Sequence, residues 1–302
     1  MIGLVFPGLA PSYYEDIKTF MQNSPFSKRR FEEASEVLGF SLIEAFKNVG
    51  DKDYVVMECA FLANTMAVLD HFYEEYSLSP QVVIGPSFGG IVAAIYVKSI
   101  SYKEAVWITK ESNKLSGEWY ERLGDFKTHF VYNLSLNESN KIIEDFKSKG
   151  HFLELVGNME SVMCFCGSAS TIDLLKRTLN NRPKCFSLHT MGHPIHSEVL
   201  TPLRLDVERE VFANVQFKPP TLPIISDVDG RLINQSEQLK VMMSEGYDLP
   251  VRWDLVTEQM ESLGIKEVYV VGPKNLFYQL LKNKIKTIKV DPDSIIKQAV
   301  TH

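Results

Sequence analysis

Phe31, Ala34, Val37, Leu38, Leu42, Ile43 and Phe46 recur at the spacing of one helical face, so the pattern predicts a helix over 31–49. A more uniformly apolar run predicts a second, more buried helix over 54–73. Between and after them the period changes. Residues 2–6 form a short apolar run broken by Pro7-Gly8, and 82–84 another, each the length of a buried strand. The small apolar residues 91–95 continue as a helix. A further helix is expected over 102–123, with Ser101 as its cap and Glu104 completing a capping box. Strands alternating with helices in this way indicate an α/β body.

Residues 128–190 have a different rhythm. Strands are predicted over 129–132, 152–156, 162–166 and 185–189, with helices over 138–146 and 170–179. The order is βαββαβ, the ferredoxin-like arrangement, and it reads as a small subdomain inserted into the larger body. The domains expected are therefore a core of 1–127 and 191–302, and a subdomain of 128–190. The body resumes with a polar helix over 200–212, a Pro-rich link and a strand over 222–226 that ends at the turn Asp227-Val228-Asp229-Gly230. A helix over 253–263, a strand over 267–271 broken by Gly272-Pro273, a helix over 275–281 and a strand over 285–290 complete the chain.

Composition narrows the function. With 302 residues, 45% hydrophobic and 23% charged, the chain has the material of a soluble globular protein. Its net charge of −6, with both signs interspersed, speaks against nucleic acid as a partner and supplies no polybasic tract for a membrane surface. The N-terminal residues lack a basic signal region, and no stretch is read as a bilayer span, so a cytoplasmic location is expected. Cys59, Cys164, Cys166 and Cys185 lack metal-site spacing and read as reduced core residues.

Candidate chemistry centres on Gly85-Pro86-Ser87-Phe88-Gly89. A Gly-x-Ser-x-Gly sequence between a strand and a helix is the pattern of a nucleophile elbow, where small neighbours hold an exposed serine on a tight turn. The same residues also suit a serine that merely caps the helix. A nucleophilic serine needs a base, and the histidines are His71, His129, His151, His189, His193, His196 and His302. Three of them lie in HTMGHPIHSEVL, where His196 precedes Ser197, a candidate N-cap. A surface cluster of histidines would look alike.

Taken together, several segments resemble the malonyl-CoA:acyl-carrier-protein transacylases and the acyltransferase domains of polyketide synthases. LVFPGLA is similar to the family's F-P-G-Q-G, IGPSFGG to G-H-S-x-G-E, HPIHS to H-A-F-H-S, and LPIISDVDG to P-V-I-S-N. GNMESVMCFCG, VRWDLV and VYVVGPKNLFYQLL also lie where the family has its later motifs, so the likeness spans nearly the whole chain. The resemblance implies a hydrolase-like α/β core with an inserted ferredoxin-like subdomain. It also implies ping-pong acyl transfer with Ser87 as nucleophile and His196 as its base. The histidine would be oriented by a backbone carbonyl around Val270 or Val271, and the oxyanion held by the backbone N–H groups of Leu9 and Phe88. Thioesters of coenzyme A or phosphopantetheine would enter as substrates. No bound cofactor or metal is implied, an acyl carrier protein is the partner, and the chain is expected to act as a monomer.

The departures from the family pattern concern the acyl group. Ser112 stands where malonyl-selective members carry an arginine for the substrate carboxylate, a bidentate role that a lysine does not reproduce. Lys110 and Lys114 point away from Ser112 by helical spacing. Glu58 replaces a glutamine opposite this site, where it would repel a carboxylate or bind an amino or hydroxyl substituent; a solvated helix residue is the alternative. Pro86 and Gly90 replace the histidine and glutamate that flank the family's nucleophile, and Leu9 replaces a glutamine. His193 and Ile195 form the selectivity motif with His196, and Ile195 departs from the usual phenylalanine. The expected function is that of a free-standing acyltransferase acting in trans in polyketide biosynthesis, not selective for plain malonyl. A trans-acting hydrolase that clears acyl chains from carriers is the alternative, and a catalytically idle carrier-binding module a third reading. Carrier docking would use Lys282, Lys284 and Lys286, or Arg29 and Arg30.

Overall fold

The computed structural model describes residues 1–50, 53–180, 182–274 and 276–301, with side chains as far as Lys297. The first half of the body runs β1 (Ile2–Val5), α1 (Tyr14–Asn23), α2 (Pro25–Leu38), α3 (Leu42–Lys47), α4 (Tyr54–Glu75), β2 (Val82–Ile84), α5 (Gly89–Tyr96) and α6 (Tyr102–Leu123). There follow β3 (Phe126–Tyr132), α7 (Leu136–Ser148), β4 (Leu153–Asn158), β5 (Val162–Ser168), α8 (Ala169–Asn180) and β6 (Phe186–Met191). The chain closes with α9 (Thr201–Glu210), β7 (Ile224–Ile225), β8 (Leu232–Ile233), α10 (Ser236–Glu245), β9 (Val251–Arg252), α11 (Trp253–Ser262), β10 (Glu267–Val271), α12 (Leu276–Leu281), β11 (Lys286–Val290) and α13 (Pro292–Thr301). Asn275 and His302, which the sequence placed at a helix start and among the histidines, lie outside the described residues.

The main sheet has the order β11-β10-β1-β2-β7-β8, parallel except for the β7–β8 hairpin. Its central strands are covered on both faces, which is why they read as unbroken apolar runs. Leu4, Phe6 and Val83 join the core shared with α1 to α6, whereas Val5, Val82 and Ile84 face α11, α12 and the second sheet. The second sheet has the order β6-β3-β5-β4-β9, in which β3 to β6 make the antiparallel ferredoxin-like arrangement. The fold is thus the α/β class with a ferredoxin-like subdomain that the sequence indicates. Alternation along β5 sorts the two sides of this sheet: Cys164 and Cys166 face the body, and Phe165 faces α7 and α8. A strand from beyond the inserted segment, β9, adds in parallel to β4 and ties the two sheets together.

Three expectations are corrected. The single helix over 31–49 is two helices, because Gly39 turns left-handed (φ 82°) at the end of α2 and the Ser41 side chain caps α3. The stretch Tyr54–Glu75 is long and apolar enough to cross a membrane, with a mean hydropathy of 1.3, contrary to the sequence reading. It is instead the central helix of the body, and 72% of its apolar 18-residue portion is buried against its neighbours. Finally, Ser197 opens only a single 3₁₀ turn, and its hydroxyl does not cap it.

Candidate active site

Ser87 occupies the turn between β2 and α5, and its φ of 53° is in the left-handed region. A non-glycine residue there is strained, and a dense local framework holds it. A Cβ on Gly89 would lie 2.0 Å from the Phe6 carbonyl oxygen, and one on Gly85 would lie 2.3 Å from the Gly89 carbonyl oxygen. Only glycine lets β1, β2 and α5 approach this closely. The Ser87 N–H donates to the Asp227 carboxylate (2.7 Å) at the end of β7, which fixes the turn from across the sheet. The serine side chain itself is exposed toward a cavity of about 290 Å³.

His196 reaches the same point from the segment that follows the subdomain. Its Nε2 lies 2.9 Å from Ser87 Oγ, and its Nδ1 lies 2.6 Å from the Gly246 carbonyl oxygen. A carbonyl can only accept, so Nδ1 carries the proton and Nε2 presents its lone pair to the serine hydroxyl. Burial pushes the imidazole down to about 4, opposed by the Gly246 bond, so the base is neutral over the physiological range. The expected carbonyl at Val270 or Val271 is therefore not the one used. Those residues lie within a parallel ladder between β1 and β11, whereas Gly246 follows the last turn of α10, where helix carbonyls lack partners. The helix C-terminus also favours the positive charge that His196 acquires on taking a proton.

His196 is in the left-handed region too (φ 53°), and its turn is braced by Glu154 of β4. That carboxylate accepts the Ser197 hydroxyl and the Glu198 N–H. Leu9 and Phe88 line the cavity with Ser87, and neither backbone N–H makes a hydrogen bond among the described residues. That leaves both groups available for the oxyanion role that the resemblance implies.

Ser112, Glu58, His193 and Ile195 all line this cavity, so the structure gathers every site residue proposed from the sequence. Glu58 is no solvated helix residue: its carboxylate accepts from Asn113 Nδ2 (2.7 Å), and burial pushes it up to about 7, with that bond opposing. Ser112 is buried, and its hydroxyl, beside that of Tyr247, has no well-formed hydrogen bond. His193 stacks on Tyr120 and meets Tyr54 edge-on; burial pushes it down to about 4. The Ile195 N–H donates to the Thr128 hydroxyl, which in turn donates to the His193 carbonyl, so both residues are tied to β3.

Sequence reasoning missed Asp227, Gly246, Glu154, Asn113 and the three tyrosines. The α10 signal was present, since Leu239 and Met242 repeat at helical spacing before Gly246. The suggested docking patches are largely neutralised. Arg29 and Arg30 both pair with Asp70, Lys284 pairs with Glu160, and Lys286 pairs with Glu267. Among the described residues, no cluster of His, Cys, Asp and Glu is arranged to hold a metal.

No protein-family model matches the chain. Individual proteins do. The malonyl CoA-acyl carrier protein transacylase of Bacillus subtilis (strain 168) is 24% identical over 97% of this chain and 95% of its own length. The enzyme of that name from Escherichia coli (strain K12) is 23% identical over 94% of this chain and 93% of its own. Among solved structures, a malonyl-transacylase in complex with its type II PKS acyl-carrier protein superposes with a TM-score of 0.85 and 19% identity, covering 100% of this chain and 99% of that one. The malonyl CoA-acyl carrier protein transacylase of Coxiella burnetii gives 0.86 at 19% identity, over 100% and 98%. With the serine elbow and its histidine in one cleft, the chain is similar along nearly all of its length to the malonyl CoA-acyl carrier protein transacylases and shares the fold of their solved structures.

Proposed function

We propose that this protein moves an acyl group from an acyl thioester, carried by coenzyme A or a carrier protein, to an acyl carrier protein through an ester on Ser87. We further propose that it acts in trans in polyketide assembly and does not select plain malonyl. The observation that carries the chemistry is the Ser87 Oγ to His196 Nε2 contact of 2.9 Å, with Nδ1 bound to the Gly246 carbonyl.

In the first half-reaction Ser87 Oγ bonds to the thioester carbon and its proton passes to His196 Nε2. The C–S bond then breaks, and the departing thiolate takes that proton. The second half reverses these roles: the carrier thiol gives its proton to His196 and attacks the ester, and Ser87 recovers its hydroxyl. Both tetrahedral intermediates place their oxyanion at the Leu9 and Phe88 N–H groups, each worth about 3 kcal/mol in the transition state.

Against malonyl stands the charge of the cavity. The described residues that line it include the carboxyls Glu58 and Asp227 but no lysine or arginine, so a substrate carboxylate would meet like charge and lose its hydration without a counterion. No observation favours a hydrolase, and the relatives cited are named as transacylases.

The test is intact-mass spectrometry with a panel of acyl-CoAs, with and without an acceptor carrier. The expected result is a mass gain that is lost in Ser87→Ala, strongly slowed in His196→Ala and passed to the carrier. A gain that persists in Ser87→Ala refutes the nucleophile; release of free acid in preference to transfer refutes the transferase; dominant labelling by malonyl-CoA refutes the selectivity.

A further inference from the structure

The polar end of the cavity is unusual in what it leaves unpaired. Asn113 Nδ2 donates both to the Thr109 carbonyl (2.9 Å) and to Glu58 Oε2 (2.7 Å), which fixes the Glu58 carboxyl in the wall. Glu58 Oε1 receives no hydrogen bond among the described residues. In the same cavity, His193 Nδ1 is buried without a hydrogen bond, and Ser112 Oγ, beside the Tyr247 hydroxyl, is buried without a well-formed one. Buried polar atoms are normally satisfied, so orphans facing a cavity mark where a ligand completes the bonding. The wall thus offers a carboxyl oxygen, an imidazole nitrogen and a hydroxyl, with no cation among the described lining residues.

The Glu58 carboxyl oxygen accepts, and the Ser112 hydroxyl can do the same, so the pair suits a donor. We propose that the cavity receives an acyl chain bearing a hydrogen-bond-donating substituent, an amine or a hydroxyl, held by the Glu58 carboxyl and the Ser112 hydroxyl. This rests on the reading of the cavity as the acyl pocket of a Ser87 acyl-enzyme. Burial disfavours charge on Glu58, as its upward displacement to about 7 reflects, and a donor from the substrate relieves that cost. A plain alkyl chain of equal size leaves the same groups buried and unpaired, the situation in which binding sites discriminate most strongly.

Isosteric acyl-CoAs provide the test. Butyryl-, 3-hydroxypropionyl- and 3-aminopropionyl-CoA differ only in a terminal methyl, hydroxyl or ammonium; pentanoyl-, 4-hydroxybutyryl- and 4-aminobutyryl-CoA extend the set by one carbon. The rate of mass gain on the full-length protein is read for each. At one length or the other, a donor-bearing chain is expected to acylate Ser87 at least ~10-fold faster than its alkyl isostere. Glu58→Ala is expected to bring that ratio close to one. Glu58→Gln separates the two donors, since an amide oxygen still accepts from a hydroxyl but no longer offers a charge to an ammonium. Alkyl chains that react as fast as donor-bearing ones at both lengths, with labelling still dependent on Ser87, overturn this proposal alone. So does a preference left intact by Glu58→Ala. Absence of any adduct, or one that persists in Ser87→Ala, overturns the acyl-enzyme reading and this proposal with it.

Discussion

Gly89→Ala isolates the geometry on which the elbow depends. The new Cβ would stand 2.0 Å from the Phe6 carbonyl oxygen, 2.9 Å from its carbon and 3.1 Å from the Pro7 carbonyl oxygen. Every one of these atoms is backbone, so no side chain can rotate away. Relief requires α5 and the end of β1 to separate by about 1 Å, and Phe6 is held there by its N–H bond to the Ile84 carbonyl (2.8 Å). Overpacking of this kind costs roughly 1–3 kcal/mol of stability, and more where the backbone cannot yield. Catalysis should suffer further. The Leu9 N–H is carried by the loop after Phe6, and a displacement of ~1 Å lowers the acylation rate about 100-fold. Gly90→Ala is the control: its Cβ meets the Gly85 carbonyl oxygen at 3.3 Å and Met242 Cε at 3.7 Å, so adjustment by a few tenths of an ångström suffices and the loss is smaller. Urea denaturation gives the stability, and stopped acylation with intact-mass detection gives the rate. A Gly89→Ala protein with the wild-type midpoint and rate would refute the close-approach argument.

Three further predictions concern charge. Asp227→Asn keeps an acceptor for the Ser87 N–H but removes a carboxyl that burial pushes up to about 6, opposed by that N–H bond. Because the folded protein binds this proton more tightly, the contribution is full below about 4 and lost as pH rises through about 6; wild type should gain stability relative to Asp227→Asn between pH 7 and 4, and a pH-independent difference in urea midpoints would contradict it. In that variant the acid limb of the Ser87 acylation rate should fall near pH 4, where His196 protonates, and a limb near 6.5 would show an imidazole that burial does not perturb. Ser112→Arg alone should raise malonyl-CoA labelling little, because Glu58 neutralises the new guanidinium, whereas Ser112→Arg with Glu58→Gln should raise it at least ~10-fold; equal labelling of the two variants would remove Glu58 from the acyl pocket.

The elbow was legible because its requirements are local. A buried strand, small residues and a serine on the turn follow one another in eleven consecutive positions, Val82 to Val92, and Gly85 and Gly89 then prove to be in backbone contact. The βαββαβ order of the insert was legible for the same reason: each strand and helix has its own period, and the four antiparallel strands pair as that order requires. The helix break at Gly39 was missed because a heptad-like apolar face continues across it, and only the left-handed glycine interrupts the hydrogen bonding. The histidine's carbonyl partner was misplaced because a backbone acceptor carries no side-chain signature. Any of the 302 residues offers one.

What the amino-acid sequence determined, then, is what depends on short-range period and turn chemistry: the α/β alternation, the inserted subdomain, the strained serine and the histidine fit to serve it. Tertiary structure decided which distant groups meet. It brought His196 across 109 positions to Ser87, set the end of α10 behind the imidazole, and placed Asp227 under the elbow, 140 positions from the residue it holds. It also turned Glu58 from an ordinary helix residue into a partly buried acid that shares a cavity wall with the Ser112 hydroxyl. The physical reason is that hydrophobic period is set by neighbours along the chain, whereas protonation and hydrogen-bond satisfaction are set by neighbours in space.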